Sequence, residues 1–191
     1  MVRTGIETGF LLDQLWHLLR GEVDRSKESA LLLVGRIFSD AGIPYAIIGG
    51  VALQSHQPEP RTTLAIDLAV LSRSAIPRAR LEAAGFALAG QFTNSENWLG
   101  PGDTPVQLTD DPALAGAIGR AEEIDIGGVR LRIIGRADLL HEKLRAVSAP
   151  ARRRSKRLQD LADAHALLEA FPDLAHGLSA AESARLDELP G

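Results

Sequence analysis

Residues 45–70 read YAIIGGVALQSHQPEPRTTLAIDLAV, and this stretch decides the fold. The short apolar run Tyr45–Ile48 ends at the pair Gly49-Gly50, which is typical of a buried strand that enters a tight turn. Val51–His56 then predicts one or two turns of helix. The stretch therefore begins with a strand–turn–helix unit.

The second half of this stretch predicts another buried strand, Leu64–Leu71. Its only charged residue is Asp67, which has apolar neighbours on both sides. Glycines at a turn let the backbone approach a phosphate, and the N-terminus of the helix that follows offers free N–H groups to an anion. A carboxylate on the neighbouring strand could hold a divalent cation beside that phosphate. Taken alone, the pattern fits both a phosphate site and a plain structural turn with an aspartate at a strand end.

The rest of the chain alternates helical and strand patterns. Helices are predicted at Phe10–Leu19, Lys27–Asp40, Ile76–Ala84, Pro112–Arg120, Ala137–Val147, Ser155–Ala170 and Ala180–Leu189. Further strands are predicted at Phe86–Leu88, Val106–Leu108, Glu123–Ile126 and Val129–Ile134, and Thr93–Thr104 is predicted to be a loop. The pattern indicates an α/β (α+β) fold, in which helices flank a mixed β-sheet of about four to six strands. We expect one compact unit, with N-terminal helices in 1–42, a core in 43–135 and a helical C-terminal region in 136–191.

Composition restricts the class of protein. The 191 residues include no cysteine, which excludes disulfides and thiolate metal sites and favours a cytoplasmic protein. The formal net charge of −4 argues against bulk non-specific affinity for nucleic acid. No apolar run approaches the roughly 20 residues of a membrane span, and the first residues lack the pattern of a signal peptide. We therefore expect a soluble protein with no membrane partner.

Residues 45–70 resemble the first motif of the nucleotidyltransferase superfamily with the DNA polymerase β-type fold. That motif is Gly-Gly or Gly-Ser after a strand, then a helix, then Asp-x-Asp on the next strand. The sequence is most similar to the AbiEii/AbiGii toxin-like branch, whose pattern GGxAxxxH, R-x-T and D-I-D-L is matched here by Gly49, Gly50, Ala52, His56, Arg61, Thr63 and Ala65-Ile66-Asp67-Leu68. Downstream, residues 138–144 (DLLHEKL) and 152–163 (RRRSKRLQDLAD) resemble the Lys and Lys/Arg-Asp-x-x-Asp elements of that branch.

The resemblance implies a nucleotidyltransferase fold and Mg²⁺-dependent (or Mn²⁺-dependent) transfer of a nucleoside monophosphate from an NTP to a hydroxyl. A tRNA end, a protein side chain and a small molecule are the candidate acceptors, and a cognate antitoxin is an implied partner. The implied site residues are Gly49, Gly50 and Thr63 at the phosphates of the nucleotide, Asp67 as metal ligand, Lys143 against the triphosphate charge, Asp160 in support of Lys143, and Arg61 as an auxiliary clamp.

The chain departs from the family pattern at Ala65, where the first Asp of Asp-x-Asp would stand. Residues i and i+2 of a strand face the same way, so the family pair holds two carboxylates against one pair of metal ions, and two-metal transfer needs both. Three explanations stay open: a deliberate inactivating substitution, a natural pseudoenzyme that binds nucleotide or a partner, and catalysis by Asp67 with other ligands. The third carboxylate of the superfamily is also missing, and the candidates for its position are Gln107 and Asp125.

Several other residues have both a functional and a structural interpretation. His56 could contact a phosphate or ribose, or be a partly buried residue at a helix end. Asp160 and Asp163 share a helix face; Asp160 could orient Lys143 or Arg153, or the two aspartates could be a solvated pair. The basic run comprises Arg152, Arg153, Arg154, Lys156 and Arg157, and it could contact RNA phosphates or be a solvated link.

Overall fold

A computed structural model describes residues 4–22, 26–57 and 59–188. Within these ranges the chain forms a seven-stranded mixed sheet with α-helices around it. The strands are β1 Tyr45–Ile48, β2 Ile66–Val70, β3 Ala87–Phe92, β4 Ser95–Gly100, β5 Thr104–Thr109, β6 Glu122–Ile126 and β7 Val129–Ile133. The helices are α1 Gly5–Leu19, α2 Lys27–Asp40, α3 Gly49–His56, α4 Arg78–Ala83, α5 Ala115–Gly119, α6 Arg136–Val147, α7 Arg154–Ala170 and α8 Ala180–Asp187. The predicted α/β class, a mixed sheet flanked by helices, is confirmed.

The two strands of the fold-deciding stretch lie at the centre of the sheet. The strand order is β3-β4-β5-β2-β1-β7-β6. β1 and β2 are antiparallel, and Ile48 at the end of β1 lies opposite Asp67 in β2. β2 runs parallel to β5, and β1 runs parallel to β7. The carboxylate on β2 therefore lies beside the turn that leaves β1.

The core forms where helices cover the middle of the sheet. α2 packs against β7 and buries Ala30, Leu31, Val34 and Phe38, whose spacing is that of one helical face. The ring centroids of Phe38 and Tyr45 lie 5.6 Å apart. α6 and α7 pack against each other, and α3 contacts both α1 and α6. The C-terminal helices are thereby held against the strand–turn–helix unit.

The predicted loop at Thr93–Thr104 is wrong, because half of it is the hairpin strand β4. Its side chains alternate, with Glu96 and Trp98 buried and Leu99 exposed. Glu96 accepts hydrogen bonds from Arg78 at 2.5 Å and from the Trp98 indole N–H at 3.3 Å. A strand whose buried face carries a carboxylate lacks the apolar–polar alternation from which strands are recognised in a sequence.

One predicted helix start also differs from the structure. α1 begins at Gly5, five residues before the predicted start, because Thr4 and Glu7 form a capping box. The predicted end of the last helix, Leu189, lies outside the described residues. In the part of the chain that is described, no helix combines the length and the apolarity needed to cross a bilayer.

We predict that Arg78→Ala destabilises the hairpin end of the sheet. The Glu96 side chain is 1% exposed, and the substitution removes its cationic partner. Removing one partner of a buried pair costs several kcal/mol; since the Arg78 side chain is itself 37% exposed, we expect a loss near the low end, about 2 kcal/mol in the free energy of unfolding. Urea denaturation measures this loss.

The matched control is Arg80→Ala, which removes an exposed arginine from the same helix. It should change the free energy of unfolding by less than about 0.5 kcal/mol. Equal losses in the two variants would show that the Glu96 pair contributes nothing specific.

Candidate active site

The turn after β1 brings the backbone of Gly49 against the carboxylate of Asp67. Gly49 has a φ of +63°, and a Cβ atom at this position would lie 2.4 Å from Asp67 Oδ2. A Cβ at Gly50 would similarly lie 2.4 Å from Thr63 Oγ1. Both positions therefore require glycine, because a side chain would collide with Asp67 or Thr63. Gly49 is also required by its left-handed backbone conformation. No side chain caps the N-terminus of α3, which begins at this turn.

A cavity of about 420 Å³ opens beside this turn. Its wall combines the turn, the start of β2, and side chains from α6, from the link that follows it and from α7. The basic side chains that line the cavity are Arg61, Lys143, Arg152, Arg153 and Lys156, and the acidic ones are Asp67, Glu142 and Asp160. Basic side chains thus outnumber acidic ones in this cavity, which we call the cationic cavity, and its lining includes every residue that the sequence analysis assigned to the site.

A chain of alternating charges crosses the base of this cavity. Arg61 donates two hydrogen bonds of 2.9 Å to Asp163, one from Nε and one from Nη2. Lys143 Nζ lies 2.9 Å from both Asp163 and Asp160. Arg152 Nε then donates to Asp160 at 2.6 Å. The Lys143 side chain is 5% exposed, so the ammonium is buried between its two carboxylates.

Burial and neighbouring charges have opposite effects on the pKa values of these paired groups. Burial disfavours the charged form of Lys143, but the carboxylates of Asp163, Glu142 and Asp160 outweigh it and raise the lysine pKa. Burial also disfavours ionisation of Asp163, yet the hydrogen bonds from Arg61 and the charge of Lys143 keep its pKa below the ordinary value. Both groups are therefore charged at neutral pH.

Asp67 behaves differently from the paired carboxylates. Burial raises its pKa, and the nearby charges of Lys143, Arg152, Lys156 and Arg61 oppose that rise without cancelling it. Among the described residues, the Asp67 carboxylate thus lies in the cationic cavity without the direct ion pairs that Asp160 and Asp163 have.

The positions that the family pattern would fill with carboxylates lie around Asp67. Ala65 lines the cavity two residues before Asp67, and Gln107 is its register neighbour on β5. The Asp125 alternative is wrong: Asp125 lies on the edge strand β6, where its Oδ1 accepts a hydrogen bond of 3.1 Å from the Gly128 N–H. Gln107, an amide, therefore lies where the third carboxylate was expected.

The residues present do not supply the ligand set of a two-metal site. Across residues 4–22, 26–57 and 59–188, no group of three or more His, Asp or Glu side chains is placed to hold a metal ion. Asp67 contributes one carboxylate, Gln107 an uncharged oxygen, and Ala65 no ligand atom. A carboxylate at position 65 would supply the second acidic ligand on the same strand face.

The geometry does not support one functional and one structural interpretation from the sequence. His56 does not line the cavity; its Nε2 lies 2.7 Å from the Ile134 carbonyl, which joins α3 to the end of β7. Asp160 and Asp163 are not a solvated pair, since both are buried. The arginine that pairs with Asp160 is Arg152 rather than Arg153.

The basic run divides between the cavity and its surroundings. Arg152 is paired with Asp160, and Arg153 and Lys156 line the cavity. Lys156 Nζ also donates to Gln159 at 3.2 Å. The run thus contributes cations to the same cavity as the glycine turn.

The sequence analysis did not identify Glu142 as a site residue. Glu142 is half-buried in the cavity wall, and burial raises its pKa against the opposing charge of Lys143. Its position on α6, three residues after the buried Leu139, was the available signal, because such a residue lies on the same side of the helix.

We predict that the contribution of Asp163 to stability is lost in acid. Its folded pKa lies below the ordinary value of 3.8, so the stabilisation is complete above that value and disappears as pH falls through the folded pKa. Arg61→Gln removes the bidentate partner and should lower the unfolding free energy at pH 6. The deficit relative to the parent should shrink as pH falls below about 4.

Urea denaturation of both proteins between pH 2.5 and 7 checks this dependence. Arg73→Gln, which breaks a partly buried pair with Asp110 elsewhere in the chain, is the control for removal of an arginine. A deficit in Arg61→Gln that stayed constant down to pH 2.5 would contradict the assignment to Asp163.

No protein-family model and no curated protein matches the chain. Solved structures do. An antigenic nucleotidyltransferase-like protein from Paracoccidioides brasiliensis matches with a TM-score of 0.56 and 20% identity, over 83% of this chain and 84% of that one. The antibiotic-resistance factor ANT(2'')-Ia matches with a TM-score of 0.58 and 16% identity, over 84% of this chain and 95% of that one. The Megavirus polyadenylate synthase matches with a TM-score of 0.52 and 14% identity, over 87% of this chain and 35% of that one. The chain therefore has the fold of nucleotidyltransferase-like proteins.

Proposed function

We propose that this protein binds a nucleoside triphosphate in the cationic cavity and is built for transfer of a nucleoside monophosphate to a hydroxyl. The observation that carries the proposal is the approach of Gly49 to Asp67 at the uncapped start of α3, within a cavity lined by basic side chains. Free N–H groups at a helix start and surrounding cations favour a polyphosphate.

In the proposed reaction, the acceptor oxygen attacks the α-phosphorus and forms a new P–O bond. The bond between the α-phosphorus and the bridging oxygen breaks, and pyrophosphate leaves with its electron pair. The hydroxyl proton passes to a cavity carboxylate, for which Asp67 is the candidate because it adjoins the turn. The cations of Arg153 and Lys156 would offset the charge of the triphosphate.

Position 65 limits this activity in the chain as it stands. The nucleotidyltransferase-like fold supports an Mg²⁺-dependent (or Mn²⁺-dependent) reaction, whereas Ala65 leaves Asp67 as the sole carboxylate of the motif. We therefore propose that the chain binds NTP but transfers poorly. The toxin role, a cognate antitoxin, a tRNA acceptor and a cytoplasmic location are further proposals from the resemblance of residues 45–70 and 138–163.

A second candidate function is a non-catalytic module that binds nucleotide or a partner on the same fold. The observation in its favour is the missing ligand set: no cluster of metal-binding side chains occurs in the described ranges. The two functions differ in whether a carboxylate at position 65 confers transfer.

The decisive prediction is that Ala65→Asp confers Mg²⁺-dependent transfer. The parent protein, Ala65→Asp and Ala65→Asn are each incubated with α-labelled NTPs, Mg²⁺ or Mn²⁺, and cell extract as a source of acceptors. We expect transfer at least about a hundredfold above the parent for Ala65→Asp only, since the amide lacks the charge of a metal-binding carboxylate. No transfer by Ala65→Asp, with intact NTP binding, would favour the non-catalytic module.

We also predict that Lys156→Gln weakens NTP binding by the parent protein. Lys156 is exposed and lines the cavity, so its loss should cost about 1 kcal/mol, or about fivefold in Kd, without loss of the fold. Calorimetry at low salt measures Kd, and Arg80→Gln, an exposed cation on α4, is the control. Equal Kd values for Lys156→Gln and the parent would remove Lys156 from the nucleotide site.

A further inference from the structure

A second cavity, of about 330 Å³, meets the cationic one at Asp67. The two share Ala65, Asp67 and Gln107 in their walls. The second cavity extends in the other direction along the sheet, over β5, β4 and β3. Asp67 therefore lies at a junction, with the cationic cavity on one side and the outer half of the sheet on the other.

Strand register places Asp67 in line with residues of β5, β4 and β3. Asp67 pairs with Gln107 across β2 and β5, Gln107 pairs with Asn97 across β5 and β4, and Asn97 pairs with Gly90 in β3. Side chains that are directly opposite on neighbouring strands share a face of the sheet. Asp67, Gln107 and Asn97 thus form one polar row across the sheet, and the row ends at Gly90 in β3.

The rows beside this one carry exposed apolar side chains. Leu99 pairs with Pro105, and Phe92 pairs with Ser95, so all four share the face of Asn97. Leu99 is 41% exposed and Phe92 is 58% exposed. We call this surface, formed by Phe92, Ser95, Asn97, Leu99, Pro105 and Gln107, the open face.

The open face carries no charge of its own. Between residues 87 and 109 the charged residues are Glu96 and Asp103. Glu96 is buried on the opposite side of the hairpin, and Asp103 lies in the turn before β5. Arg73 reaches the Phe92 carbonyl at one edge, but its guanidinium is paired with Asp110 at 3.0 Å.

One buried polar atom at the open face lacks a partner. Within the described part of the chain, the Asn97 side-chain oxygen is buried and makes no hydrogen bond. A buried acceptor without a donor is costly, and a ligand that brings an N–H or O–H group would satisfy it. Asn97 lines the second cavity, one strand away from Gln107.

From these observations we infer that the acceptor is a hydroxyl-bearing side chain of a polypeptide that lies over the open face. This inference rests on the proposed function. A polynucleotide acceptor would need cations along its phosphates, and a polycationic acceptor would need carboxylates; the open face has neither. Three strands of about six residues span roughly 10 Å by 20 Å, which matches an extended peptide segment better than a small molecule.

The binding geometry gives the two substrates separate approaches. The NTP occupies the cationic cavity, and the peptide enters from the open face with its Ser, Thr or Tyr hydroxyl directed at Asp67. The peptide backbone supplies the N–H that Asn97 lacks, and Leu99 and Phe92 cover its apolar side chains. The hydroxyl oxygen then forms the P–O bond to the α-phosphorus as pyrophosphate leaves.

The test places opposite charges on the open face in the Ala65→Asp background. Leu99→Glu and Leu99→Lys are assayed with α-labelled NTP and three separate acceptor sources: RNase-treated total cell protein, bulk tRNA, and the small-molecule filtrate of the same cells. We expect label in protein, reduced about tenfold or more by both substitutions, because either charge must be desolvated beneath an uncharged segment. Leu19→Glu and Leu19→Lys, at an exposed position of α1, are the controls and should not change labelling.

A binding measurement on the chain as it stands gives a readout that does not depend on transfer. Bulk tRNA affinity, measured by fluorescence anisotropy across salt concentrations, should be the same for the parent, Leu99→Glu and Leu99→Lys. If RNA lay on the open face, Leu99→Lys would bind more tightly and Leu99→Glu more weakly. That result would overturn the inference.

The remaining outcomes are distinguishable. Label in tRNA or in the filtrate, or protein labelling that neither Leu99 substitution alters, overturns the polypeptide acceptor and leaves the proposed function standing. No transfer from Ala65→Asp to any of the three sources overturns the proposed transfer reaction, and the inference with it.

Discussion

A lysine ammonium buried between two aspartates holds the candidate site together. Lys143 on α6 contacts Asp160 and Asp163 on α7, and Arg61 ties Asp163 to the segment before β2. Neither helix could bring these charges into the interior alone, since an isolated buried ion costs several kcal/mol. The C-terminal helices are therefore positioned against the sheet by charge neutralisation as well as by apolar packing. The cavity is the space that this arrangement leaves above the turn after β1.

The same network changes how the basic residues of the site should be interpreted. Two of the three N–H donors of Lys143 are directed at carboxylates, and Arg61 is committed to a bidentate pair. These residues set the shape and potential of the cavity more than they offer free contacts to a ligand. Arg153 and Lys156, at its exposed rim, are better placed to meet a mobile polyphosphate. The paired charges at the base of the cavity and the exposed charges at its rim would together suit reversible binding of an anion.

Local sequence rules could predict the central strands and the glycine turn, because apolar runs, glycines and one isolated carboxylate carry that information. They could not predict β4, where the buried Glu96 depends on Arg78 from a distant helix. They also could not remove Asp125 from the cavity, since its place at the sheet edge depends on the strand order β3-β4-β5-β2-β1-β7-β6. The spacing of Glu142 from Leu139 indicates a shared helix side, but its place in the cavity wall depends on the packing of α6 against α7. The family resemblance implied the roles of Lys143 and Asp160, and helix spacing placed Asp160 and Asp163 on one face. Burial, which decides whether such charges are structural, comes only from the tertiary fold.

The electrostatics of Asp67 bear on the proposed effect of the residue at position 65. With Ala65, the raised pKa of Asp67 is opposed by the surrounding cations, and a bound triphosphate would neutralise those same cations. Nucleotide binding should then favour protonation of Asp67, which leaves a neutral acid beside the phosphates. With two carboxylates on one strand face, the same binding event would instead concentrate negative charge that protonation of one group cannot relieve. If the chain binds NTP as proposed, the residue at position 65 then decides whether the charge of the nucleotide is balanced by a proton or by a divalent cation.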